Sequence, residues 1–204
     1  MKIKICGLRS LAMAQAAENA GADFIGFVFA PSHRYITPEA AAMISQRIHG
    51  CQKVGVFVDE DVREVNRIAL QCKLDFVQLH GHEDAVYARK VCIPVIKAFR
   101  WGDDFSVDAA NAYPARYILL DSFTKGMAGG TGQSFSWREA AAQVSALTKP
   151  FLVAGGINAS NVRTVKIQLH PFGVDASGSL EVNGEKDQEK IREFIAAGKG
   201  GETA

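Results

Sequence analysis

Net charge, cysteine and long apolar runs are all scarce in this 204-residue chain. Its 23 Lys and Arg against 22 Asp and Glu leave a formal charge of +1. That balance offers no electrostatic footprint for nucleic acid or an anionic membrane surface, and no basic run with interleaved aromatics compensates. The four cysteines, Cys6, Cys51, Cys72 and Cys92, show no metal-ligand spacing. They read as free thiols of a reducing compartment, with Cys51, Cys72 and Cys92 as packing residues near element edges. No apolar stretch approaches the roughly 18 residues of a membrane span. Lys2 and Lys4 interrupt the first apolar residues, where a signal peptide would carry its hydrophobic region. The expectation is a cytoplasmic protein without membrane or nucleic-acid partners. Linkers and low-complexity tracts are missing as well, which predicts one domain over residues 1–204.

What is present is alternation. Short apolar runs (KIKIC, DFIGFVF, KVGVFV, DFVQLH, PVIKAFR, RYILLD, PFLVAGG and GVDASG) are each followed by a stretch with helical periodicity. Apolar runs of this length suit parallel strands buried on both faces. Strict strand–helix alternation requires right-handed crossovers and a parallel sheet. Eight such units predict a (β/α)8 TIM barrel, a small version with short loops and a weak or missing fifth helix around FSVDAANAY. An open doubly wound sheet is the alternative. It normally opens with G-x-G-x-x-G after its first strand, and none is found there. Thr37-Pro38-Glu39 reads as a helix start. Gly21 and Gly198 stand where helix C-caps belong.

A barrel of this kind keeps its chemistry at the C-terminal strand ends. Cys6 ends strand one, His80 strand four and Asp121 strand six, and Asp175 lies near the end of strand eight. Cys6 reads either as a small buried hydrophobe or as a reactive thiol. Lys4, on the same strand face, would favour the thiolate. Asp121 reads either as a loop anchor or as an acid/base group. His80 reads either as a metal ligand or a base, or as a hydrogen-bonded core or ligand-contact residue. It lacks a second His or carboxylate to complete a metal site, so no metal is expected. VAGGIN and DASGSLE follow strands seven and eight, the usual phosphate loops of this fold, which makes Gly155, Gly156, Ser177 and Gly178 candidate phosphate binders. Gly130, in GGTGQSF after strand six, reads as part of a connector or of a cover over a ligand. Arg34, in FAPSHRYITP, is either a solvated surface residue or a guanidinium placed to bind a carboxylate.

In order, KICGL, GFVFAPSHRYITPEAA, VGVFV, VQLHG, LLDS, GGTGQSFSW, LVAGGINASNV, GVDASGSLE and KDQEKIREF resemble the phosphoribosylanthranilate isomerases of tryptophan biosynthesis, over residues 2 to about 196. The resemblance implies an Amadori rearrangement of N-(5-phosphoribosyl)anthranilate to the corresponding 1-deoxyribulose 5-phosphate. It implies Cys6 as general base, Asp121 as general acid and Arg34 on the anthranilate carboxylate. Gly155, Gly156 and the Ser177-Gly178 turn would hold the phosphate. One acid and one base suffice, so no metal or cofactor is implied; the expected partner is a small phosphorylated substrate, and the chain is expected to be a monomer. The carboxyl should be pushed up and the thiol down. Where the family usually reads DVSSGVE, this chain reads DASGSLE. Two rivals make other demands. A pentose-phosphate epimerase would want metal-binding His and Asp at several strand ends. A non-catalytic binder would need neither Cys6 nor Asp121.

Overall fold

The computed structural model describes residues 1–102, 104–121 and 137–200. Each apolar run forms a parallel strand: β1 (Lys2–Cys6), β2 (Phe24–Val28), β3 (Gln52–Phe57), β4 (Phe76–Leu79), β5 (Val95–Arg100), β6 (Tyr117–Asp121), β7 (Phe151–Ala154) and β8 (Gly173–Ala176). The eight pair in sequence order, and β8 closes on β1 with Lys4 opposite Asp175. The (β/α)8 barrel expected from the alternation is the fold observed. Closure leaves no strand edge unpaired.

The strands are connected by α1 (Leu11–Ala20), α2 (Pro38–Ser45), α3 (Val62–Gln71), α4 (Ala85–Ala88), α5 (Val107–Ala112), α6 (Trp137–Val144) and α7 (Val162–Leu169), and α8 (Gln188–Lys199) follows the last strand. Local chemistry sets their ends. Thr37 Oγ1 accepts from the Ala40 amide with Pro38 at the first helical position, and Gly21 closes α1 at φ 93°. In α3, Val65, Ile68 and Ala69 are buried at helical spacing, and Asp61 caps the start. A small antiparallel hairpin, β9 (Glu181–Val182) and β10 (Glu185–Lys186), is inserted between β8 and α8. Asn183 and Gly184 turn it at φ 53° and 81°, the left-handed pair that a tight hairpin needs.

The strand period of two sorts the interior from the exterior. Ile3, Ile5, Ile25, Val77, Leu79, Ile118, Leu120, Val153 and Val174 face the helices in the larger core. Phe24, Val54, Phe76, Ile96, Leu119 and Leu152 fill the barrel. Phe24, Phe76 and Tyr117, the first residues of their strands, meet one another at the barrel floor, and Tyr117 stacks on Phe172 at 4.8 Å. Above this plug lies a buried polar layer of Lys4, Gln78 and Asp175.

Three expectations need correction. The fifth helix is not missing: it has six residues and a Ser106 cap, and the fourth is shorter at four. There a buried ion pair covers the outer barrel face. Lys97 on β5 donates to Glu83 at 2.8 Å and to the Gly81 carbonyl at 2.7 Å. Glu83 also accepts from the Asp59 and Gly81 amides. Gly198 is no C-cap: it lies inside α8, where a Cβ would come within 2.5 Å of Ile3 Cδ1, and Gly200 takes the cap position. Cys92 is exposed rather than packed, whereas burial pushes the Cys51 thiol up to about 12 and the Cys72 thiol up to about 11. Among the described residues, no helix is long and apolar enough to cross a membrane.

Candidate active site

Cys6 is the last residue of β1 and is 7% exposed. Gly7 follows at φ 80°, and its amide and that of Leu8 donate to the Gly26 carbonyl. Gly26 on the neighbouring strand leaves space for the sulfur: a Cβ there would lie 2.9 Å from Sγ and 3.3 Å from Lys4 Nζ. The period of two therefore puts Lys4 below Cys6 on the inner face, as the sequence predicts. Lys4 is fully buried and donates to Asp175 Oδ2 at 3.0 Å.

The electrostatics differ from expectation in sign. Burial pushes the Cys6 thiol up; Lys4 and, more weakly, Lys186 draw it down, and Asp175 opposes them. The result lies above the ordinary thiol value, so one ammonium does not outweigh desolvation. Burial also works against the Lys4 ammonium, but Asp175 and Cys6 hold it above its usual value. Burial pushes the Asp175 carboxyl up against the pull of Lys4. Both partners are therefore raised, the ammonium by its anionic neighbours and the carboxyl by burial.

Asp121 ends β6, and His80 stands just past β4. His80 Nε2 lies 3.1 Å from Asp121 Oδ2, and its Nδ1 lies 2.9 Å from Gln78 Nε2. With the Gln78 amide donating to Nδ1, the ring is the Nε2–H tautomer and donates to Asp121. Asp175 feels the charge of Asp121 as well as that of Lys4, so it lies within electrostatic range of both the Cys6 and the Asp121 sides of the mouth.

Arg34 lies over the loops after β1 and β8. Its stem packs on Gly7, where a Cβ would come 2.6 Å from Cδ, and its Nη2 lies 3.0 Å from the place of a Cβ on Gly178. It is not a solvated surface residue. Nε donates to Glu181 Oε1 at 2.7 Å and Nη2 to Oε2 at 2.9 Å, a two-point pairing that fixes the plane of the guanidinium. A cavity of about 180 Å3 opens along this pair, between Gly7, Arg34, Glu181 and Lys186.

Gly155 and Gly156 turn the chain after β7 at φ 88° and 69°, and no described atom lies within 4 Å of a Cβ built on Gly156. Ser179 donates to the Ile157 carbonyl, which ties the loop after β7 to the Ser177–Gly178 loop. Gly130 lies outside the described residues.

The sequence reading missed three residues. Glu181 lies inside the quoted DASGSLE, where an acid two loops away from an arginine carries no local signal. Lys186 sits on a hairpin that the Asn-Gly pair foreshadows. Gln78 had the clearest signal, a polar residue sharing the parity of Phe76 and His80 in an apolar strand.

Glu181 makes a testable pH dependence. Burial opposes its ionisation, but hydrogen bonds from Arg34 and Lys186 outweigh this and hold its carboxyl at about 2. A depressed carboxyl stabilises the fold above its unfolded value of 4.5, and that contribution is lost as pH falls towards 2. The linkage amounts to about 3 kcal/mol. Urea unfolding of wild type and Glu181→Gln between pH 5 and 2.5 should show a steeper acid loss in wild type by up to that amount. Parallel curves would exclude the linkage.

A closed parallel barrel with a thiol, a carboxylate and glycine-rich loops gathered at the C-terminal strand ends defines a (β/α)8-barrel enzyme. Comparisons narrow the class. The N-(5′-phosphoribosyl)anthranilate (PRA) isomerase model matches residues 3–197. N-(5′-phosphoribosyl)anthranilate isomerases from Desulforudis audaxviator and Bacillus cereus strain AH187 are 43% and 42% identical, covering 95% and 98% of both chains. The Thermotoga maritima phosphoribosyl anthranilate isomerase superposes with a TM-score of 0.89 at 37% identity, covering 98% of this chain and 99% of that one. A phosphoribosyl anthranilate isomerase in complex with reduced 1-(o-carboxyphenylamino)-1-deoxyribulose 5-phosphate gives 0.86 at 35%, with the same coverage. The chain belongs to the N-(5′-phosphoribosyl)anthranilate isomerase family.

Proposed function

We infer that this chain performs the isomerase step of tryptophan biosynthesis, the Amadori rearrangement of N-(5-phosphoribosyl)anthranilate, by general acid/base catalysis with Asp121 and Cys6. One observation carries the assignment: both groups end strands at the barrel mouth, and the Lys4–Asp175 pair lies between them in charge. Asp121, protonated, gives its proton to the ring oxygen as the C1–O bond breaks. The nitrogen lone pair forms the C1=N bond of a cationic Schiff base. Cys6 thiolate then removes the C2 proton, and the C–H electron pair moves towards the iminium to give an enolamine. Protonation at C1 and loss of the enol proton complete the aminoketone.

The raised thiol gives this sequence an order. In the free protein burial favours the neutral thiol. A cationic Schiff base beside it adds to Lys4 and favours the thiolate, the thiol proton leaving to solvent. Ring opening thus prepares the base for the second step.

The other contacts follow from the chemistry of the ligand. In this reading Gly155, Gly156, Ser177 and Gly178 offer backbone amides to the phosphate; the positive φ of Gly155 and Gly156 supports it for the first of the two loops. Arg34 offers its guanidinium to the anthranilate carboxylate. Asp175 Oδ1 and Gln78 Oε1, buried without a hydrogen-bond partner among the described residues, are acceptors for sugar hydroxyls. The test is complementation of a tryptophan auxotroph lacking this step. Growth is expected with the wild-type chain, and soluble expression without growth would overturn the reading.

A further inference from the structure

The mechanism above leaves Lys186 unused, although its side chain is only 5% exposed. Its ammonium donates to Glu181 Oε1 at 2.5 Å, to the Ser177 carbonyl at 3.0 Å and to Ser177 Oγ at 3.3 Å. Ser177 Oγ in turn donates to the Cys6 carbonyl at 3.0 Å. A lysine on the inserted hairpin therefore reaches the end of β1, 180 positions earlier in the chain.

We propose that Lys186 is a positioning residue for Cys6: through Ser177 it fixes the end of β1, and it sets a second ammonium within range of the sulfur. Glu181 shares its two oxygens between Lys186 and Arg34, so one hairpin carboxylate aligns the thiol's cation and the substrate-facing guanidinium together. The proposal deepens the reading of Cys6 as the base and rests on it.

The charged groups around the sulfur come from three elements. Lys4 shares β1, Asp175 faces it from β8, and Lys186 comes from β10. The neighbouring β2 presents only Gly26 to the sulfur. Arg34 and Glu181 act on Lys186 itself. Lys4 is largely taken by Asp175. Lys186 adds a second, weaker pull to that of Lys4 against the burial of the thiol, and Glu181 and Ser177 hold it in place.

The test reads the thiol without substrate. In a Cys92→Ser background, which removes the exposed thiol, the rate of Cys6 carboxamidomethylation by iodoacetamide is followed by peptide mass across pH 6 to 10. Lys186→Met should slow the reaction at pH 7.5 by roughly three- to tenfold, because reactivity follows the thiolate fraction, and move its midpoint to higher pH. Lys186→Arg should stay near wild type. Glu181→Gln removes a negative charge and should move the midpoint the opposite way, which gives a reading even if Lys186→Met fails to fold. The acid limb of kcat/KM should follow the same order. Unchanged midpoints in folded Lys186→Met, or in Glu181→Gln where the first does not fold, would overturn the proposal, including when the melting temperature falls. Because alkylation needs no turnover, a Cys6→Ser enzyme that remained active would sink the base assignment while leaving the thiol measurement intact.

Discussion

Asp121→Asn is expected to lower kcat by about 10²- to 10⁴-fold, the range for loss of a general acid, which corresponds to about 3–5 kcal/mol of transition-state stabilisation. The substitution keeps the size of the side chain and its acceptor for His80, which sits 3.1 Å away. The barrel and substrate binding should therefore survive, and the loss should fall on kcat with little change in KM. Asparagine cannot give a proton to the ring oxygen, so ring opening becomes the slow step. Cys6→Ser should cost a similar factor by stopping the second step. The double variant should lose less than the product of the two, because both groups serve one reaction coordinate. Steady-state kinetics decide the matter: a folded Asp121→Asn enzyme within tenfold of wild type in kcat would remove Asp121 from the acid role.

The largest stability effect is expected far from the chemistry, at Lys97. Its ammonium and the Glu83 carboxylate are 6% and 1% exposed and 2.8 Å apart. Tyr113 further ties this corner by donating to the Glu83 carbonyl at 3.0 Å. Lys97→Met strands a buried carboxylate, and breaking a buried pair this way costs about 3–5 kcal/mol. Glu83→Gln should cost less, since the amide oxygen can still accept from the Asp59 and Gly81 amides. Replacing both charges with apolar groups should recover part of the loss, because no charge is then left without a partner. Urea denaturation at neutral pH measures all three. A Lys97→Met loss below about 1 kcal/mol would mean the pair is solvated as a surface pair is.

Cys6 shows where reading the sequence stops. Its strand, its inward face and its place beside Lys4 follow from the alternation KIKIC, because a period of two is a property of extended backbone. The direction of its ionisation does not follow. That depends on how much desolvation the barrel imposes and on Asp175 and Lys186, which arrive from β8 and β10. The fourth and fifth helices show the same division. FSVDAANAY looked weakest, yet Ser106 caps a six-residue helix there. The segment after β4 forms only the four residues Ala85–Ala88, next to the buried Lys97–Glu83 pair.

By itself, the sequence determined the eightfold strand–helix order, the inner face carrying Lys4 and Cys6, the strand ends at Cys6 and Asp121, the cap at Thr37 and the turn at Gly21. These are local quantities. They depend on backbone period, apolar patterning and the chemistry of single turns, which neighbouring residues fix. Only the tertiary structure decided that Arg34 is held by Glu181 across 147 positions, that His80 meets Asp121 across 41, and that Ser177 holds Cys6 across 171. The Ser177 and Glu181 contacts exist because β8 closes on β1 and brings the first and last loops side by side, whereas His80 meets Asp121 across β5, which lies between β4 and β6. Closure is a property of the whole sheet, set by the twist and packing of eight strands together, and no single segment of the chain carries it.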